Sequence, residues 1–308
     1  MSPEEIHRIG LNEVARVESE MTVIAKAQGY ADLASFRKAV STDKRHFATS
    51  AEQMLERYRH YVAGMQRELP KLFEQLPKKS LNVEAMPGYR GKYPPAVYLQ
   101  SSPESNKPGT VSVNTSDFAQ RTLINIEVIA YHEGVPSHHL EVSLGQTLPL
   151  PPFRQQGDYN AYGEGWAMYA ERLGKDVGLY KDPYSDYGRL SADLLRANRL
   201  ILETGVHYKR WNRQQMMDFF HAHPSDDESS MQAETDRYIA WPGQVLGYKV
   251  GQLQFITLRE EAERELGDRF DIRAFHTAVL GDGAMPLALL QPRVRQWIAK
   301  NKAGQVSR

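Results

Sequence analysis

Three of the ten histidines in this 308-residue chain fall within eight residues, His132-Glu133-Gly134-Val135-Pro136-Ser137-His138-His139. Thirty-two residues beyond His132 stands Glu164, in Tyr162-Gly163-Glu164-Gly165-Trp166-Ala167-Met168-Tyr169. Neutral imidazoles and a carboxylate suit a borderline cation such as zinc. Two histidines and one distant acid leave a coordination position open for water, the arrangement of catalytic zinc. A glutamate directly after the first histidine is placed to take a proton from that water. The expected ligands of a single zinc ion are His132, His138 and Glu164, with Glu133 as the base.

The usual pair of histidines four apart on one helix face is missing, because position 136 is proline. On an unbroken helix, His139 would lie about 20° from His132 and His138 about 120° away. Pro136 has no N–H, and its ring collides with the carbonyl of His132, so a kink or bulge is expected between Gly134 and Ser137. A bulge favours His138 as ligand and leaves His139 beside the site or facing substrate. An unbroken helix favours His139. Apolar residues on both sides, Val128-Ile129-Ala130 and Leu140, Val142 and Leu144, predict partial burial. Buried imidazoles need partners, and a metal supplies one.

Hydrolysis through a tetrahedral intermediate also needs donors for the developing oxyanion. His207 and Tyr248 are candidates by residue type, and Arg237 could hold a substrate carboxylate by a two-pronged contact. Other chemistries fare poorly. The chain has no Gly-x-Ser-x-Gly elbow, no phosphate-binding Gly-Lys-Ser/Thr loop and no Gly-x-Gly-x-x-Gly. A helical di-iron site needs two inward Glu-x-x-His motifs, and only Glu4 to His7 has that spacing.

The elements that must carry these residues are mostly helical. Ile6, Ile9, Val14, Val17, Met21 and Ile24 recur at helical steps and predict a helix over 3–29, opened by Ser2-Pro3-Glu4-Glu5 and closed near Gly29. That start reads as a helix cap, not a signal peptide. Residues 31–40 and 50–75 give two further helices. Residues 81–115 change character: three β-prone segments separated by Pro, Gly and Ser predict a small sheet just before the histidine cluster. From Thr122 to Arg295 the helical period returns. The expected organisation is a helical segment over 1–80, a motif-bearing domain with its sheet over 81–300, and a short tail over 301–308, together one continuous globular unit.

Lys plus Arg and Asp plus Glu both number 38, which leaves no electrostatic footprint for nucleic acid or an anionic membrane. There is no cysteine, so disulfides, thiolate zinc sites and a cysteine nucleophile are excluded. No apolar stretch reaches the roughly 18 residues that suggest a spanning helix.

Six spaced motifs occur in order: His132 to His139, Glu164 to Glu171, Arg196 to Leu200, Glu203 to His207, Arg237 to Gly251 and Phe275 to Pro286. In them the chain resembles a bacterial family known as domain of unknown function 885. The resemblance implies a multi-helical, zincin-like fold similar to thimet oligopeptidase and carboxypeptidase Taq, with the sheet edge open to an extended peptide. It implies a zinc-dependent peptidase or amide hydrolase; by residue type His207 and Tyr248 would then assist the oxyanion, and Arg237 and His139 would face substrate. Family members are about twice this length and often exported or lipid-anchored, so the chain resembles their C-terminal half. A missing N-terminal half would then supply another wall of the substrate channel. Two rival readings are a non-catalytic module that binds a peptide or cell-wall fragment, and a fragment active only with its other half. Two positions depart from the family pattern: Ser137 stands where Gly is usual, and Glu203 where Asp is usual. A need for positive φ at 137 would make Ser costly there.

Overall fold

The computed structural model describes residues 1–90, 94–155 and 157–304. The chain is mainly helical with one small sheet. In order it forms α1 (Pro3–Ala27), α2 (Leu33–Thr42), α3 (Ala51–Leu72), β1 (Leu81–Ala85), β2 (Ala96–Leu99), β3 (Gly109–Val113), α4 (Ile126–Glu133), α5 (His138–Gly145), α6 (Pro152–Gln155) and α7 (Asn160–Asp176). There follow α8 (Pro183–His207), α9 (Arg213–Ala222), α10 (Glu228–Ala240), α11 (Leu246–Leu266), α12 (Ile272–Leu280) and α13 (Leu287–Lys302). Of the expected tail, 301–302 belong to α13, and 305–308 lie outside the described residues. Among the described residues no helix is long and apolar enough to cross a membrane.

Local chemistry sets the element ends. Ser2 accepts from the Glu5 amide while the Glu5 carboxylate accepts from Ser2, a reciprocal cap that satisfies two otherwise orphaned donors. Gly29, with φ +86°, ends the same helix in the left-handed region that glycine enters without a Cβ penalty. Asp32 caps α2 reciprocally with Ser35, and Ser50 caps α3 by accepting the Gln53 amide.

Two compact units divide the chain, and each draws on separate stretches of sequence. The first comprises 1–49, 119–128 and 180–249. Its core joins Val14, Val17, Met21 and Ala25 of α1 to Phe36 and Val40 of α2 and to Leu190, Leu194, Ala197 and Ile201 of α8. A Cβ at Gly10 would come within 2.7 Å of the Ile201 side chain, so glycine is what lets α1 approach α8. A second cluster collects Leu202, Met216, Met217, Phe220, Met231, Tyr238 and Val245. This unit also buries charge: the fully buried Lys249 ammonium bonds Asp193 and lies 3.1 Å from Glu13, and Arg16 reaches Asp193 at 2.7 Å. Burial alone would raise the Asp193 carboxyl, but Lys249 and Arg16 hold it well below the usual carboxylate range.

The second unit comprises 50–118, 129–179 and 250–308. Its sheet has the order β1-β3-β2, with β1 parallel and β2 antiparallel to the central β3. Val83, Val111 and Val113 are buried. Trp166 of α7, fully buried, packs against Phe73, Tyr169, Phe255 and His276. Helices α7 and α11 cross at Gly165 and Gly251, where a side chain on either residue would strike the other helix's backbone. The Gln252 amide donates to Met168 O at 3.2 Å across this crossing. This contact fixes the helix that carries Glu164.

Candidate metal centre

The histidine segment folds as two short helices. The first ends at Glu133 and the second begins at His138, with a cis Val135–Pro136 peptide between them. The kink expected from Pro136 is there. His139 N bonds Gly134 O at 3.0 Å, and Glu141 N bonds Ser137 O at 2.9 Å, so α5 takes up the chain again directly. Ser137 has φ −98°, outside the left-handed region, and its replacement of glycine carries no such penalty. Its hydroxyl donates to Ala167 O at 3.2 Å, and Trp166 Nε1 donates to Pro136 O at 3.3 Å. These two bonds hold the break against α7.

The geometry brings together His132, His138 and Glu164, whose candidate ligand atoms all lie within 4.8 Å of one another. Glu164 Oε2 is 3.4 Å from His132 Nε2 and 3.6 Å from His138 Nε2. A tetrahedral zinc with bonds of about 2.1 Å separates neighbouring ligand atoms by about 3.4 Å. The two imidazoles meet edge to face, with centroids 4.9 Å apart. Glu164 Oε2 is shielded from solvent and accepts no well-formed hydrogen bond. An orphaned buried oxygen between two imidazole nitrogens is a donor set that a divalent cation would satisfy. These residues fit a zinc ion.

The electrostatics agree. Burial would lower the His132 imidazole, but the carboxylates of Glu164 and Glu171 outweigh it and raise it to about 9. His138 is likewise raised by Glu164 against its burial. Burial would raise Glu164, yet the two imidazoles hold it well below the usual carboxylate range. Glu171, 2% exposed at its side chain, places Oε1 2.7 Å from His132 Nδ1. The sequence marked it as the closing acid of the Glu164 to Glu171 motif, seven residues after Glu164 and so on the same helix face, without a role.

Glu133 Oε2 accepts the backbone N–H of Tyr98 at 2.7 Å, which ties the expected base to edge strand β2. His139, expected to face substrate, is instead 1% exposed with both nitrogens engaged. Its Nε2–H donates to Lys79 O at 3.0 Å, and Nδ1 lies 3.1 Å from the Tyr98 hydroxyl. The reason is packing: α5 presses this ring against the sheet, and a Cβ at Gly109 would come within 2.7 Å of its Nδ1. Burial pushes the Tyr98 hydroxyl up to about 12, so it stays protonated and donates. Tyr98→Phe should therefore cost about 1 kcal/mol of unfolding free energy by leaving His139 Nδ1 with only the longer contact to Ser143 Oγ at 3.5 Å. Zinc content should be unchanged. A loss below a few tenths, read by urea unfolding, would mean that the hydroxyl does not bond the ring.

His207, Arg237 and Tyr248 belong to the first unit, where each has partners of its own. His207 Nε2–H donates to Tyr238 O at 2.9 Å. Arg237 donates to Glu234 at 3.1 Å and to Gln244 at 2.6 Å. Tyr248, 9% exposed, lies under the Arg199 guanidinium at 4.5 Å. Arg199 and Tyr238 both donate to Glu234. Burial opposes the ionised Glu234, but Arg199 and Arg237 hold it at about 2. Arg199, Glu234 and Tyr238 thus link the three expected residues. Of these links Arg199 and Tyr238 were marked beforehand, by their places in the Arg196 to Leu200 and Arg237 to Gly251 motifs, and Glu234 was not. Glu203 accepts the Gly243 amide, and burial raises its carboxyl.

No curated protein matches the chain. A solved candidate lipoprotein from Colwellia psychrerythraea is similar over 97% of this chain and 53% of its own, with 36% identity and a TM-score of 0.93. A candidate lipoprotein of unknown function from Shewanella oneidensis shares the fold, with a TM-score of 0.80 at 18% identity over 97% of this chain and 57% of its own. The chain therefore spans just over half the length of these solved relatives. The profile of the bacterial proteins of unknown function DUF885 matches residues 1–294, and the chain belongs to that family.

Proposed function

We propose that this chain carries the metal site of a zinc-dependent peptidase or related amide hydrolase with a zincin-like fold. The observation that carries the reading is the convergence of His132 Nε2 and His138 Nε2, at 3.4 and 3.6 Å, on the buried and unsatisfied Glu164 Oε2. His132, His138 and Glu164 would hold the ion. When bound, zinc supplies a Lewis acid for the scissile carbonyl and lowers the pKa of water at the site. Glu133, fixed through Oε2 by the Tyr98 amide, takes the proton of the attacking water and returns it to the leaving nitrogen. Among the described residues no strand pairs with the outer edge of β2; Glu133 holds its Tyr98 amide, and the rest of that edge could take an extended peptide by backbone hydrogen bonds. His207 and Tyr248 as oxyanion donors, and Arg237 as a substrate anchor, rest on residue type and on their places in the motifs. The reading stands on the second unit without them. Since the solved relatives are nearly twice as long, activity of the whole protein is proposed for a chain that includes the remaining half.

The test has two arms. Elemental analysis of the purified chain should find one zinc per molecule. A mixed peptide library should be cut by the zinc-loaded protein and spared after chelation. Absence of chelator-sensitive cleavage, both by this chain and by one extended to the relatives' length, would sink the peptidase reading.

A further inference from the structure

We propose that Glu171 is a positioning residue for the metal site: it holds the His132 ring so that Nε2, not Nδ1, faces the cation. This rests on the metal reading above and adds what selects the ligand atom. An imidazole offers two nitrogens, and which one binds is set by the partner of the other. Glu171 Oε1 lies 2.7 Å from His132 Nδ1, with the two side chains 2% and 7% exposed. A carboxylate accepts but cannot donate, so the proton of that bond sits on Nδ1, and Nε2 is the nitrogen left for a cation to take. That Nε2 is the atom 3.4 Å from Glu164 Oε2.

Both acids stand on α7, seven residues apart and so about two turns along one face. One helix therefore grips both sides of one ring: Glu164 meets the nitrogen that binds, and Glu171 the nitrogen that does not. The α7–α11 glycine crossing and the Ser137 and Trp166 bonds fix this helix against the histidine segment. The ring cannot turn over without breaking a buried charge-assisted hydrogen bond.

The test compares the unaltered chain with Glu171→Gln by chelator competition for zinc. The variant should bind zinc about 10–100-fold more weakly. Its far-UV circular dichroism should stay close to that of the parent. The visible spectrum of its cobalt-substituted form should shift, a change that a merely structural partner would not produce. A second measurement needs no variant: long-range 1H–15N NMR of the zinc-loaded parent should show His132 protonated at Nδ1. Equal zinc affinities within twofold, or a His132 proton on Nε2, would overturn the role of Glu171 while leaving the metal reading intact. If Glu171→Gln does not fold, the NMR measurement decides. A parent chain that takes up no zinc would overturn both proposals together.

Discussion

Glu133→Gln is expected to keep its zinc and to lose hydrolysis by about 10²–10⁴-fold, the usual contribution of a positioned general base. The prediction is sharp because the substitution is nearly isosteric. The Gln carbonyl can accept the Tyr98 amide as Glu133 Oε2 does at 2.7 Å, so the segment keeps its place against β2. What disappears is the negative charge and with it the ability to take a proton. Zinc affinity should change by no more than a few-fold, because Glu133 is not among the converging ligand atoms. Chelator competition and peptide cleavage measured on the same preparation separate the two effects. A variant that hydrolyses at the parent rate would remove Glu133 from the chemistry. One that loses zinc as well would make it a ligand.

Acid should destabilise the fold through His276. This imidazole is fully buried; its Nδ1–H donates to Leu72 O at 2.8 Å, and its Nε2 accepts from the Tyr169 hydroxyl at 2.8 Å. The bond accepted at Nε2 needs the neutral ring, whereas the Nδ1–H bond survives protonation. Burial pulls the group down to about 3, against an ordinary value of about 6.5, and the Leu72 carbonyl only partly opposes this. The unfolded chain therefore binds a proton that the folded chain refuses. Stability from this group is fully present above about pH 6.5 and is lost as pH falls toward 3, at about 1.4 kcal/mol per pH unit. Between pH 7.5 and 4.5 the loss should be about 2.5 kcal/mol. Carboxylates titrate in the same range, so the measurement is a difference. Urea unfolding of the parent and of His276→Gln at both pH values should give a steeper decline for the parent by that amount. Parallel declines would mean that the ring is protonated in the folded state.

The order and kind of most elements were legible in the sequence, because their causes are local. Helical spacing of Val14, Val17 and Met21, the caps at Ser2 and Ser50, and the β-prone runs before the histidines each act within a few residues. The break at Pro136 was equally local, since a missing N–H and a ring clash need no tertiary partner. Sheet order was not legible. That β1 lies parallel to β3 with β2 outside depends on how 81–113 folds back on itself, and any alternating strand can pair on either edge.

The sequence by itself determined which residue types could hold a zinc ion, and that the segment between Gly134 and Ser137 could not remain helical. Only the tertiary structure decided which of two adjacent histidines faces Glu164. The reason is the approach of α7, whose direction is set by glycines at a helix crossing and by bonds to residues 30 positions away. It also decided that His139 serves the sheet, that Glu171 meets His132, and that His207, Arg237 and Tyr248 find their partners in the other unit. Ligand chemistry belongs to single side chains and can be read one residue at a time. Convergence belongs to the packing of distant segments, which spacing along the chain does not encode.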